Sequence, residues 1–180
     1  LSFSSNVNRK IKDIGRMSIK AAHNKWWQIF EVIFGVPFLV AIVLQITVPW
    51  SFPFGFILIP MGVVLIIVGA TIVILARREF ARYGQPTDPG HPTSRIINTG
   101  IFSISRNPLY LGGVCVLAGI ALALNLPWAI VLLVPALITC HYVLITPEEK
   151  YLAAKFGEEY HTYTVSVHRW IGRSRSPRAD

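Results

Sequence analysis

The sequence is poor in charge, poor in cysteine and empty of the motifs that mark common soluble chemistries. Only 14% of its residues are charged, against about 25% in an ordinary soluble domain, while 53% are hydrophobic. A chain of 180 residues with so few charges needs a large outer surface that does without them, and lipid provides one. The two cysteines, Cys115 and Cys140, both lie inside apolar runs. They are too few for a disulfide framework and read as small buried hydrophobes, with a pair at a helix–helix contact as the alternative. No zinc-like ligand spacing occurs, and no metal site is expected. There is no Gly-x-Gly-x-x-Gly loop, phosphate-binding Gly-rich lysine motif, serine elbow or metalloprotease histidine pair. The first apolar run begins only at Trp26 and no small-residue cleavage site follows it, which argues against a cleaved signal peptide.

What charge there is follows a pattern. The formal net charge is +8, and nucleic acid is the first partner to consider for a basic chain. The 17 Lys and Arg fall into three blocks, Arg9 to Lys25, Arg77 to Arg106 and Lys150 to Arg178, with none from Trp26 to Ala76 or from Asn107 to Glu149. Basic loops alternating with uncharged runs are the signature of the inner side of a membrane protein and suit anionic headgroups, not nucleic acid.

In chain order, residues 1–25 read as an amphipathic interfacial segment, with Ile11, Ile14, Ser18 and Ala21–Ala22 at helical spacing, and Trp26–Trp27 at headgroup depth. A surface helix is the plainer alternative. Four spans follow. They run from Trp26 to Ile46, Phe54 to Ala76, Pro108 to Leu124 and Pro127 to Ile145, each near the roughly 20 residues that cross the hydrocarbon. Glu31 sits early in the first span, where a carboxylate suits the helix dipole, and Gly35 and Pro37 are positions for a bend. Gly62, Gly69 and Ala70 offer a small-residue face. The loop Gln85–Pro92, with Asp88-Pro89, is too rich in proline for regular structure. Pro147 is expected to end or kink the fourth span. Beyond it, Leu152, Phe156, Tyr160 and Tyr163 share one face of an amphipathic cytosolic helix, and residues 173–178 read as a loose basic end that meets lipid.

The expected fold is therefore all-α, a polytopic bundle of about four transmembrane helices with an interfacial N-terminal helix and a cytosolic C-terminal helix. Residues 26–76 form the first hairpin. Residues 77–180 form the region that carries the chemistry, including the second hairpin at 108–145. An even number of spans puts both termini and the 77–107 loop on one side, and the basic blocks make that the cytoplasmic side.

Two polar clusters then share one membrane surface. In Asn98–Gly113, Arg106 stands just before a Pro-started helix. It either snorkels to lipid phosphate or combines its guanidinium with the helix N-terminus to hold an anion. Tyr110, one turn inside, is an aromatic-belt residue or a second member of that site. Glu148 and Glu149 end the fourth span against its dipole. They need a compensating cation, Lys150, Arg106 or a ligand, unless they form a solvated inner face. His141 lies two turns before Glu148. A histidine at membrane depth is a functional candidate, and a hydrogen bond to a neighbouring helix is its alternative. Any enzyme built on these residues needs a soluble cofactor at the membrane edge or a lipid-borne substrate.

These residues carry a resemblance. Thr99, Gly100, Ile101, Phe102 and then Arg106, Asn107, Pro108, Tyr110 and Gly112 resemble the first signature of the isoprenylcysteine carboxyl methyltransferase family, in its bacterial branch. Glu148, Glu149, Leu152, Phe156, Gly157, Tyr160, Tyr163, Val167, His168, Arg169 and Trp170 resemble the second. The departures are Ile101-Phe102 for Pro-Tyr, Lys150 where bacterial members often have Pro, and His168 for Pro. The likeness spans roughly Ala76 to Trp170. It implies S-adenosylmethionine as methyl donor and a membrane-edge methyltransferase acting on a lipophilic or prenyl- or lipid-linked acceptor, by carboxylate O-methylation. It also implies Arg106, Tyr110 and Glu149 as catalytic residues, and Asn107, Pro108, His141, Glu148, Tyr160 and Arg169 as cofactor-binding ones. The alternatives are a phospholipid-type amine N-methyltransferase, with His141 as base, a sterol-reductase-like enzyme using a nicotinamide cofactor, and a noncatalytic scaffold.

Overall fold

The computed structural model of the protein describes residues 26–84 and 95–174. The expected interfacial segment at 1–25, the proline loop with Asp88-Pro89, the side chains of Trp26, Trp27 and Glu31, and the basic end past Ser174 lie outside the described residues.

Six α-helices make up the described fold: α1 (Trp26–Thr47), α2 (Gly55–Arg82), α3 (Pro108–Ala123), α4 (Pro127–Cys140), α5 (Thr146–Phe156) and α6 (Glu158–Ser166). A short 3₁₀ turn, Gly100–Ser103, precedes α3, and a π turn, His141–Ile145, joins α4 to α5 without a break. The all-helical membrane bundle expected from the sequence is what is seen. Two helices, Gly55–Arg82 and the continuous Pro127–Phe156, are long and apolar enough to cross a membrane, while Val32–Thr47 and Pro108–Ala123 are shorter apolar helices. Val36, Leu39, Val43 and Ile46 on α1 and Phe56, Ile59, Val64, Ile67 and Ile74 on α2 are exposed. Only 11% of the apolar window of α2 is buried, so its hydrophobicity faces outward, as a lipid-facing helix requires.

The tightest seam is α2 against α3. Without a water-driven hydrophobic effect inside lipid, helices associate through close packing, and small residues allow it. Gly62 and Gly69 of α2 meet Gly119 and Gly112 of α3 in antiparallel order. A Cβ at Gly62 would lie 2.5 Å from the Gly119 carbonyl oxygen, and one at Gly69 would lie 2.6 Å from that of Gly112. On the other side, Ala41 of α1, Ala121 of α3 and Ala129 of α4 form a small-residue core between the two hairpins. The turns that close the two hairpins are tied together. Asn125, in the left-handed region at φ 52°, accepts from the Phe52 N–H at 2.9 Å and donates to the Phe52 carbonyl at 3.4 Å, and the Trp128 indole donates to the Val48 carbonyl at 2.9 Å.

α1 runs through Pro37 without a break. Two expectations need correction. Pro147 does not end the fourth helix. The π turn just before it supplies the room that a proline ring needs within a helix, and the His141 carbonyl accepts from both the Thr146 N–H and, at 2.9 Å, the Thr146 hydroxyl. Because the helix continues, Glu148 and Glu149 do not face a row of orphan carbonyls. Lastly, the segment from Glu148 to Tyr163 is two helices. Gly157, at φ 53°, turns the chain between α5 and α6. The expected apolar face survives the bend, because Leu152 and Phe156 pack on Tyr160, Tyr163 and Val167.

Candidate functional site

The site starts from a short stretch of backbone. After the 3₁₀ turn the chain enters α3 through Asn107 and Pro108, with Pro108 in the first helical turn, where its missing N–H costs nothing. Ser105 and Asn107 are buried. The Asn107 N–H donates to Ser105 Oγ at 3.1 Å, and Asn107 Nδ2 donates to the Arg169 carbonyl at 3.2 Å. From the other side a tight turn presents residues 168–172. His168 N–H donates to the Gly172 carbonyl at 2.9 Å, Gly172 N–H to the Ile104 carbonyl at 2.8 Å, and Arg106 N–H to the His168 carbonyl at 3.2 Å. Gly172 holds φ 117° in this turn. His168 stands where the resembled signature has proline, and its N–H is one that proline lacks. Two segments more than 60 residues apart are thereby held edge to edge, bringing Arg106 and Arg169 to one place.

Both arginines grip Glu149. Arg106 Nη1 lies 3.1 Å from Glu149 Oε1, Arg169 Nε donates to Oε1 at 3.0 Å and Arg169 Nη2 to Oε2 at 2.6 Å. The Arg169 pair is bidentate, the strongest geometry for this contact. Arg106 Nη1 also donates to the Tyr160 hydroxyl at 3.3 Å. Arg106 Nε is buried with no hydrogen-bond partner among the described residues. Arg169 Nη1 lies 3.4 Å from His141 Nε2. A guanidinium only donates, so His141 Nε2 is the acceptor of this contact. Glu149 holds the Arg169 pKa up, chiefly through its hydrogen bonds, and burial raises that of Tyr160.

Glu148 points elsewhere. Its Oε2 accepts from the hydroxyl of buried Tyr110 at 3.2 Å. Glu148 has an exposed edge, but its carboxylate reaches inward, and desolvation raises its pKa to about 7 against the lowering effect of the Tyr110 hydrogen bond. The π turn separates the fates of the two acids. In an uninterrupted helix at about 100° per residue, position 148 would share the face of His141. One extra residue in the wide turn advances that register by one, and Glu149 is the acid that Arg169 joins to His141.

Beside this network an open groove of about 560 Å³ runs along the α3–α4 seam, lined by Leu111, Val114, Leu137, Ile138, His141, Tyr142 and Trp170. Its wall is almost wholly apolar, and its polar member, His141, links it to the arginines.

All nine sequence candidates meet in this region. Arg106, Glu149, Tyr160, Arg169 and His141 form one network, Tyr110 and Glu148 form an adjoining pair, and Asn107 and Pro108 supply the backbone joint. Ser105, Tyr163 and Glu79 were missed. Tyr163 donates its hydroxyl to the Phe102 carbonyl at 2.7 Å, and its aromatic ring at an apolar helical position had concealed that polar role. Glu79 is buried at the end of α2, and in sequence it looks like one more charge among arginines.

The fold is an all-helical bundle of membrane type, with an apolar groove beside a cluster of arginines and acids. The family model described as phospholipid methyltransferase matches residues 57–159, and the chain belongs to that family of integral membrane methyltransferases, which is of the isoprenylcysteine carboxyl methyltransferase type. Its membership makes the protein a membrane methyltransferase with S-adenosylmethionine as the implied methyl donor. No curated protein and no solved structure matches the chain.

Proposed function

We propose that the protein methylates a carboxylate on a lipophilic or lipid-linked acceptor at the cytoplasmic edge of the membrane. The observation that carries this reading is the pair of guanidiniums, Arg106 and Arg169, gathered on Glu149 beside the apolar groove, because two cations converging on one carboxylate suit a further anion. The acceptor's hydrocarbon lies along the groove between α3 and α4, and its carboxylate meets the guanidinium of Arg106.

The residues present fit the methyl donor. Glu148, with Tyr110 beside it, is an acid suited to the amino group or ribose of S-adenosylmethionine, and Asn107, Tyr160 and the turn bearing Arg169 supply polar groups, with Pro108 fixing the backbone that carries Asn107. Bound there, S-adenosylmethionine supplies a methyl group already activated by its sulfonium. The chain's own residues then work by positioning and electrostatics. Arg106 orients the acceptor oxygen, Glu149 holds both guanidiniums in place, and the apolar walls at Trp170 and Leu111 exclude water. A carboxylate acceptor needs no general base.

The second reading, methylation of a phospholipid amine, is favoured by the family's description. An amine must lose a proton, and His141 is the nearest base, but Arg169 faces its Nε2 lone pair. That contact is the reason to prefer the carboxylate. The topology that accompanies this reading has four spans with both termini inside, the first hairpin at 26–76 and the chemistry within 77–180.

Purified protein in lipid nanodiscs, supplied with methyl-labelled S-adenosylmethionine and a total lipid extract, tests the reading. Label released as methanol by mild base marks a methyl ester and supports it. Label that resists base and stays with a phospholipid amine overturns it in favour of the second reading.

A further inference from the structure

The buried acid at the end of α2 has no part in the chemistry above, yet its surroundings are specific. Glu79 is buried on α2, one turn beyond Ala76, which belongs to an apolar cluster with Ile97 and Phe102. Burying a carboxylate is costly unless its oxygens are satisfied. Among the described residues its nearest cation, Arg82, is 3.9 Å away and mostly exposed. Its close partner is the Thr99 hydroxyl, which donates to Oε1, and the Tyr83 hydroxyl lies 2.8 Å from the same Thr99 oxygen. Next to Thr99, Gly100 turns at φ 55°, and a Cβ there would lie 2.8 Å from Glu79 Oε2 and 2.9 Å from its Cδ. The carboxylate therefore fits a corner of backbone that only glycine leaves open.

What this corner carries is the site. From Thr99 the chain makes its 3₁₀ turn, with Phe102 N–H donating to the Thr99 carbonyl at 3.0 Å and the Phe102 ring against Phe80 at 5.0 Å. Phe102 then receives Tyr163, Ile104 receives Gly172, and the Arg106 N–H reaches His168. We propose that Glu79 is a positioning residue. It docks the Thr99–Gly100 corner on α2 and thereby fixes both the segment that delivers Arg106 and the 168–172 turn that delivers Arg169 and Trp170. The inference rests on the reading above only in taking Arg106 and Arg169 as site residues.

The test uses the full chain in detergent. Hydrogen exchange is followed in wild type, Glu79→Ala, Glu79→Gln and Thr99→Val. Glu79→Ala is expected to raise exchange about tenfold or more over 99–107 and also over 167–173, with the α2–α3 seam unchanged. Glu79→Gln keeps an oxygen for Thr99 and is expected to restore protection in both segments. Loosening confined to 97–103, or spread through the whole bundle, overturns the proposal, and so does failure of Gln to rescue. If Glu79→Ala does not fold, Thr99→Val is judged by the same two segments. A second arm pairs Glu79→Ala with Arg106→Lys and reads methyl incorporation from labelled S-adenosylmethionine into the lipid extract. If Glu79 acts through Arg106, the double variant is within about twofold of Arg106→Lys alone, whereas multiplied losses mean independent roles and sink the idea. Exchange needs no acceptor, so a wild type that makes no base-labile product would refute the proposed reaction and leave this inference to be decided by the exchange arm.

Discussion

Gly69 and Gly112 face each other across the α2–α3 seam so closely that a Cβ on either would lie 2.6–2.7 Å from the other's carbonyl oxygen. No real side chain tolerates that approach, so the helices must separate to admit even a methyl group. Intrinsic helix propensity favours Ala over Gly by about 1 kcal/mol, so the sign of a Gly→Ala change reports which effect wins.

At Gly69 and Gly112 the clash wins. Gly69→Ala and Gly112→Ala are each expected to destabilise the protein by about 1–3 kcal/mol through overpacking. Gly35→Ala, where nothing lies within 4 Å of the added carbon, is expected to be neutral or slightly stabilising. Thermal unfolding in one detergent compares the three, and equal melting temperatures would refute the account of the seam.

Arg106→Lys separates a working guanidinium from a lipid anchor. Arg106 meets Glu149 and Tyr160 through Nη1, and lysine keeps the charge but lacks the rigid planar set of donors that an acceptor's carboxylate would meet. Turnover is expected to fall about 30- to 1000-fold, equivalent to roughly 2–4 kcal/mol of lost transition-state stabilisation. A lower maximal rate at unchanged S-adenosylhomocysteine affinity assigns the arginine to the acceptor, and weakened affinity assigns it to the donor. Wild-type values for both would leave it as a membrane-edge residue.

Glu148 gives the site a pH dependence. Its carboxyl titrates near 7 in the folded protein, above its ordinary 4.5. If the carboxylate form meets the amino group of the ligand, S-adenosylhomocysteine binding strengthens about tenfold per pH unit up to about 7 and then levels off. The linked effect on folding has the opposite sense. The raised pKa contributes stability fully present below 4.5 and lost as pH rises through 7. Calorimetry from pH 5.5 to 8.5 checks the first claim, with Glu148→Gln expected to flatten the curve. A wild-type profile already flat would remove Glu148 from the donor site.

Tyr163→Phe removes one hydroxyl and leaves the buried Phe102 carbonyl without that donor. The expected loss is about 1–3 kcal/mol, read as a lower unfolding midpoint, with faster exchange at residues 102–106. No change in either would mean that water replaces the hydroxyl without cost.

Sidedness is tested by labelling in intact cells. In a cysteine-free background, a cysteine at exposed Leu124 is expected to react with an impermeant reagent from outside. One at exposed Arg95 should react only after permeabilisation. The reverse pattern would invert the topology inferred from the basic blocks.

The spans were legible because lipid imposes one simple rule, a long apolar run, and the arginines and acids stood out against it. The meeting of Arg106 with Glu149 was half-legible, since Arg106 was already one of the cations considered for the acid pair. The part of Arg169 in clasping Glu149 was not, because it depends on the backbone bonds between 104–106 and 168–172, which leave no pattern in residue types. Pro147 misled for a physical reason. A proline usually ends a helix, but here the wide turn upstream absorbs its ring. Glu79 stayed hidden because burial is a property of the tertiary contact with Thr99 and Gly100, not of its own neighbours in sequence.

The π turn at His141–Ile145 makes the enzyme unusually exposed to one kind of genetic accident. Most point substitutions in an apolar helix change one contact. Loss of a single codon within this turn would restore ordinary helical spacing, rotate everything beyond it by about 100° and draw it back about 1.5 Å. If the lost codon were one from Val143 to Ile145, Glu149 would leave the arginines in one step while His141, both acids and both arginines remained in the chain. Lineages that carry the extra residue and lineages that lack it would therefore be divided by which acid, 148 or 149, holds the guanidiniums.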